Sequence, residues 1–276
     1  MENLMLLQIV WSVKPEIGTF LGITFRWYGI LFALGLCCSG IFLYKIFKQQ
    51  GISQDNYEKL LVYVFLGIFL GARIAHCLFY EPTYYLAHWW EILLPISTIK
   101  GKIVFVGYQG LASHGGGAGL ICAVLLYCWH TRQKIWQTMD HLAIVTPLAG
   151  AFIRLGNLMN SEIVGAPSNV PWAFVFTACD AQPRHPAQLY EALFYFALFV
   201  AMWLMYKKKI RVKDGFYVGF AMLAICLFRF FIEYVKEVQV PFEENMTLDM
   251  GQWLSIPYIV AGIMILWITQ RKNNIK

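Results

Sequence analysis

Apolar residues fall in long runs along this chain, separated by short polar stretches, and the runs set its organisation. A helix that crosses a bilayer needs roughly 17–25 apolar residues. By that measure the pattern predicts seven transmembrane helices, at about 27–47, 60–80, 115–129, 142–159, 188–206, 216–234 and 253–269. The third is short and opens with His114-Gly115-Gly116-Gly117-Ala118-Gly119. Ahead of the first lies another apolar run, Leu4–Val13, which follows Glu2 and is cut by Lys14-Pro15. It is too short to span and lacks the basic start of a signal peptide, so it is expected on the membrane surface. The stretch 81–113 is rich in aromatic residues (Tyr84, Tyr85, Trp89, Trp90) that suit a membrane–water boundary. The stretch 160–187 is polar and carries Pro167, Pro171 and Pro183. The fold class is all-α: a polytopic membrane protein forming one integral-membrane domain over 1–276.

Composition agrees with the pattern. Of 276 residues, 59% are hydrophobic and only 14% charged, against about 25% charged in a soluble domain. The net charge of +6 invites a nucleic-acid partner. The basic residues sit between the apolar runs, however, where membrane topology accounts for them, and no nucleic acid is expected. The cluster Lys207-Lys208-Lys209-Ile210-Arg211-Val212-Lys213 is decisive for orientation. The positive-inside rule puts it in the cytoplasm, with the N-terminus outside, the C-terminus cytoplasmic, and 81–113 and 160–187 as outward loops. The seven cysteines show neither metal spacing nor a disulfide framework, and read as small buried hydrophobes.

Polar chemistry then concentrates toward the outer half of the membrane. Arg154 lies deep in the fourth span, where a charge costs at least ~2.5–3.5 kcal/mol and marks a functional site by default. On a helix Arg154, Asn157 and Ser161 share one face, presenting a cation, an amide and a hydroxyl suited to a phosphate. The alternative is that Arg154 pairs with a buried carboxylate and only fixes helix packing. Arg229 and Glu233 stand four apart, either paired with each other or each serving another helix. His114 with its glycines offers an imidazole beside an approachable backbone, or simply a close helix contact. His185-Pro186-Ala187-Gln188-Leu189-Tyr190-Glu191 opens the fifth span, and Arg73 reads as an interhelical strut. Three classes fit: an enzyme acting on an anionic phospholipid, an anion transporter, or a lipid-sensing protein. No broken spans recur in two halves as in inverted-repeat transporters, so the enzyme leads.

The stretch Gly150-Ala-Phe-Ile-Arg154-Leu-Gly156-Asn157-Leu-Met-Asn160-Ser161-Glu162-Ile-Val-Gly165 resembles the signature of bacterial prolipoprotein diacylglyceryl transferases, Gly-Arg-Leu-Gly-Asn-Phe-Ile-Asn-Gly-Glu with a closing glycine. Arg26-Trp27-Tyr28-Gly29, Gly71-Ala72-Arg73, Ser113-His114-Gly115-Gly116, the His185–Glu191 stretch and Arg229-Phe230-Phe231-Ile232-Glu233 follow the same family in order and spacing. The resemblance implies an enzyme of the bacterial cytoplasmic membrane, without cofactor or metal. Its substrates would be phosphatidylglycerol and prolipoprotein signal peptides bearing a lipobox cysteine. It implies His114, Arg154, Arg229 and Glu233 as catalytic, and Tyr28, Arg154, Asn157, Glu162, Gly165 and Arg229 as phosphatidylglycerol-binding. Arg73, His185, Gln188, Tyr190 and Glu191 would support them. Arg154 is expected to neutralise the phosphate and His114 to take the thiol proton. Two departures stand out: Ala-Phe-Ile precedes Arg154 where the family has glycine, and Ile225 stands where a tyrosine is expected.

Overall fold

Each apolar run folds as a helix, and most of these helices start ahead of the run by up to two turns, because polar first turns extend a helix beyond its lipid-facing stretch. The computed structural model describes residues 9–20, 23–80, 82–94, 96–99, 102–105, 110, 112–237 and 246–271. The long helices are α1 (Trp27–Gln49), α2 (Gln54–Phe79), α5 (Ser113–Thr131), α6 (Ile135–Met159), α7 (Ala187–Lys207), α8 (Phe216–Ile232) and α9 (Met250–Arg271). Between α2 and α5 stand two short helices, α3 (Pro82–Ala87) and α4 (Trp90–Leu93). α2 starts six residues before the apolar run because the Ser53 hydroxyl caps it, accepting from the Asn56 N–H at 3.3 Å.

Among the described residues, six helices are long and apolar enough to cross a membrane: α1, α2, α6, α7, α8 with its following turn, and α9. This is a polytopic, all-α membrane protein in its spanning part. α5 falls outside the six because glycines fill its first turns and histidines stand near both its ends.

Short strands, which the pattern does not foretell, lie in the connecting segments. They are β1 (Ile9–Trp11), β2 (Glu16–Phe20), β3 (Ile23–Arg26), β4 (Ile96–Ile99), β5 (Lys102–Phe105), β6 (Phe174–Phe176) and β7 (Pro183–Arg184). β2–β3 and β4–β5 are antiparallel hairpins. The described part of the Leu4–Val13 run forms a strand whose Ile9 and Val10 side chains are exposed: β1 pairs in parallel with β6, Ile9 opposite Phe174, and β6 pairs with β7. Residues 4–8 of that run lie outside the described ones.

The chain packs as two compact units, residues 1–43 with 139–276, and residues 44–138. In the first unit α1 runs antiparallel to α6. Gly156 admits the Tyr28 ring, Gly35 admits Phe152, and Ser39 Oγ donates to the Val145 carbonyl at 3.2 Å. Asp140 on α6 caps α8, accepting from the Gly215 and Val218 N–H groups at 2.7 and 2.9 Å. Phe194 on α7 stacks on Phe228 of α8, with centroids 3.9 Å apart. Where α6 stops, a small core of Leu158, Val164, Phe174 and Phe176 sits under Trp11 and Leu189. The Trp11 indole N–H donates to the Leu158 carbonyl at 3.1 Å.

The second unit is built on α2 and α5, antiparallel along a glycine seam. A Cβ on Gly67 would stand 2.6 Å from the Gly119 carbonyl oxygen, and one on Gly71 would stand 2.3 Å from that of Gly115. Glycines at this spacing let backbones meet, as small residues do between membrane helices. That settles the part of Gly115 and Gly119 as helix contacts. Arg73 is buried and is an interhelical strut, joining α2 to the short helix α4. It donates to the Ile92 carbonyl at 3.1 Å and the Glu91 carbonyl at 2.7 Å, under the Tyr85 ring.

Candidate active site

The site grows from the way α6 ends. The Glu162 N–H donates to the Asn157 carbonyl at 2.9 Å and the Ser161 N–H to the Leu158 carbonyl at 3.1 Å. This 6→1 and 5→2 pair is a Schellman closure, which needs a left-handed residue just past the cap. Ser161 takes that place with φ +54°, and Ile163 follows at +57°. The left-handed region costs a non-glycine residue roughly 1–2 kcal/mol, and a β-branched one is a clear outlier there. The helix therefore stops before Ser161, which does not share the Arg154 face that continued helical spacing would give it.

The two left-handed residues flank Glu162 and bring its carboxylate back over the helix end. Asn157 Nδ2 donates to Glu162 Oε2 at 3.1 Å and Asn160 Nδ2 to Oε1 at 3.0 Å. Gln188, fully buried in the first turn of α7, donates from Nε2 to the Glu162 backbone carbonyl at 2.6 Å. Arg154 Nη1 donates to Asn157 Oδ1 at 3.3 Å, so Arg154 and Asn157 do share a face.

Arg154 is already paired. Its Nε stands 3.2 Å from Glu191 Oε2, an ion-pair distance without the alignment of a hydrogen bond. Glu191 is fully buried on α7, and its other oxygen accepts from Lys236 Nζ at 3.3 Å. Lys236 Nζ also lies 2.9 Å from Glu233 Oε2. Two cations and two carboxylates thus form one buried chain, Arg154–Glu191–Lys236–Glu233, with no net charge. Glu233 turns toward Lys236 because α8 ends at Ile232 and a 3₁₀ turn, Glu233–Val235, carries it off the Arg229 face. The i,i+4 pair of Arg229 with Glu233 does not form. Among the described residues, no carboxylate lies within ion-pair distance of Arg229, which is half-buried on α8. Tyr195, one turn after Glu191, lies close enough to both arginines to feel their charge.

Neighbouring residues shape the rim. The segment at Gly165 passes between the chain at His185 and at Val235, bonded to both: Gly165 N–H to the His185 carbonyl at 3.0 Å, Ala166 N–H to the Val235 carbonyl at 2.9 Å. Arg184 donates to the Gly165 carbonyl at 3.2 Å and pairs with Asp180 and with Glu237. Its hydrogen bonds hold the Asp180 carboxyl below the usual carboxylate range. His185 Nδ1 lies 3.2 Å from the Tyr190 hydroxyl, which accepts from the Trp172 indole at 2.7 Å.

The first unit thus gathers Tyr28, Arg154, Asn157, Glu162, Gly165, His185, Gln188, Tyr190, Glu191, Arg229 and Glu233. His114 and Arg73 belong to the second unit, where His114 is exposed in the first turn of α5. Lys236, Tyr195 and Arg184 are members that sequence reading does not single out. The signals were present as Lys236 three residues past Glu233 and Tyr195 four past Glu191, but a lysine after a span reads as a solvated loop residue.

Comparison with known proteins fits this arrangement. The family model described as prolipoprotein diacylglyceryl transferase matches residues 15–268. The chain belongs to that family. Among relatives in the family, one from Bacteroides fragilis, named phosphatidylglycerol–prolipoprotein diacylglyceryl transferase, is 47% identical over 276 residues, covering 99% of this chain and 100% of its own. Relatives of the same name from Porphyromonas gingivalis and Tolumonas auensis are 42% and 40% identical. The first covers 97% of this chain and 96% of its own, the second 96% and 99%. Ser161 holds the left-handed position where the family signature has glycine, so this chain accepts a strain that the signature residue avoids. Ile225, one turn before Arg229, is half-buried and leaves that turn without a hydroxyl.

Proposed function

We propose that this protein transfers the diacylglyceryl group of phosphatidylglycerol to the lipobox cysteine thiol of prolipoproteins. Full-length likeness to transferases of that name supports the reading, and one structural observation carries it: an arginine with no carboxylate partner among the described residues, beside a buried chain of charges that is already neutral. A thioether forms only if sulfur attacks the glyceryl carbon and the carbon–oxygen bond to phosphate breaks. Glycerol phosphate then departs with the bonding pair, its charge growing in the transition state. Arg229, with no carboxylate to answer, meets that charge. Arg154 and Asn157 orient the headgroup, and Glu162, held by two amides, accepts from its glycerol hydroxyls. The attacking thiol must lose its proton, because the thiolate is the nucleophile. The His114 imidazole, with a ring nitrogen able to take a proton, is the acceptor we assign to it.

The deciding experiment is a product assay. Membranes containing the protein, phosphatidylglycerol and a lipobox peptide are expected to yield a peptide heavier by one diacylglyceryl group, resistant to thioester cleavage. Anion flux without such an adduct would point to a transporter and end this reading.

We further infer a seven-span domain of the bacterial cytoplasmic membrane, N-terminus outside. α5 lies along the spanning α2 in backbone contact over Gly67–Gly71 and Gly115–Gly119, which supports its crossing as well. The basic cluster Lys207–Lys213 supports the orientation. A cysteine at Ser168, in a background lacking Cys179, is expected to react with an impermeant thiol reagent in intact cells. Reaction only after lysis would reverse the topology.

A further inference from the structure

We propose that Lys236 is a positioning residue for the transfer, and that its task is to keep the buried charges balanced so that the Arg229 cation stays available to phosphate. The inference rests on the function proposed above and names a residue which that reading does not use.

Lys236 is an unusual lysine. Its side chain is 4% exposed, between Glu191 at 0% and Glu233 at 12%. Lysine is almost never buried to this degree unless paired. Two carboxylates claim its ammonium, and one of them is shared with Arg154. The next charge along the chain, Glu237, is taken by Arg184 and stands outside this balance. Backbone geometry fixes where the ammonium sits. Lys236 pairs across an isolated bridge with Gly165, and its N–H donates to the Glu233 carbonyl at 3.1 Å.

The consequence follows from charge arithmetic. With Lys236 present, Glu191 and Glu233 are answered by Lys236 and Arg154. Without it, two buried carboxylates share one cation. Arg229 stands four residues before Glu233 and next to Phe228, whose ring lies 6.5 Å from that of Tyr195, itself one turn from Glu191. It is the next cation available. A surplus carboxylate would draw that guanidinium away from phosphate or lower the potential the phosphate meets. Losing one partner of a buried ion pair is far more damaging than losing both.

The test uses the full-length protein in nanodiscs of phosphatidylglycerol diluted into phosphatidylcholine, with a lipobox peptide as acceptor. KM for phosphatidylglycerol is read because it does not depend on how much protein is folded. Lys236→Met is expected to raise that KM about tenfold or more, and Lys236→Arg, which keeps the charge, to stay within about threefold. The double variant Lys236→Met with Glu191→Gln restores neutrality and is expected to recover most of the lost affinity. Where the single variant is too unstable to assay, the double variant is expected to accumulate and turn over. A double variant no better than the single one, or a Lys236→Met protein with the original KM, overturns the proposal. Absence of thioether product from the unsubstituted protein would instead overturn the function itself.

Discussion

Replacing Arg229 by glutamine is expected to slow single-turnover transfer to a lipobox peptide by about a hundredfold or more, with the protein folded and inserted. The size follows from what the side chain would do. A contact to charge that grows in the transition state is worth on the order of 3 kcal/mol, which is about a hundredfold in rate. Arg229 is the candidate because its charge is unspent: its sequence partner Glu233 is bound to Lys236, and Arg154 is bound to Glu191. Among the described residues its loss leaves no buried carboxylate stranded, so stability should hold. Arg154→Lys differs in kind. A lysine cannot reach Glu191 and Asn157 together from one fork, so the Asn157–Glu162 contact should loosen and binding suffer along with rate. If Arg229→Gln keeps more than about a third of the rate, under ~1 kcal/mol lost, phosphate neutralisation passes to Arg154.

The second large effect is expected at Gly165. A Cβ there would stand 2.5 Å from the His185 carbonyl oxygen, 2.6 Å from His185 Cβ and 2.7 Å from the Val235 carbonyl oxygen. Two of these are backbone atoms held by the hydrogen bonds that flank Gly165, so nothing near yields easily. Gly165→Ala should cost about 2–3 kcal/mol by overpacking and show as a clear fall in melting temperature in detergent. Transfer should fall with it, because the segment pushed aside carries Lys236 next to Val235. The resemblance implies a substrate contact at Gly165. Activity lost with an unchanged melting temperature would support that role and refute the packing one.

The long helices over the apolar runs were legible because hydropathy is a local property, read residue by residue. The third run was the weakest, and the reason is chemical: Gly115, Gly116 and Gly119 serve contact with α2, and with Gly117 they dilute its apolarity. The strands were not legible. β1 and β6 are three residues each, and their pairing joins Ile9 to Phe174 across most of the chain. In the site, the Arg154–Asn157 contact followed from helical spacing, since both lie before α6 ends. The same spacing misled at Ser161 and at Glu233, because each falls just past a helix end where the 3.6-residue period no longer applies. Lys236 was hidden for another reason. Its burial depends on the Gly165 segment and on Glu191 from α7, and nothing within a few residues of Lys236 announces either.

The glycine seam of α2 and α5 also bears on the order in which this protein is made. Lipid tails are as apolar as leucine, so two helices in a bilayer are drawn together by shape and close contact rather than by escape from water. Residues 80–112 separate the partners in the chain, so the seam closes only after the ribosome has delivered both. Once closed, it sets where α2 ends, and Arg73 near that end holds the short helix α4 through the carbonyls of Glu91 and Ile92. A helix held at a fixed place has lost conformational entropy before any ligand arrives. The seam thus prepays the placement of α4, well beyond its own glycines.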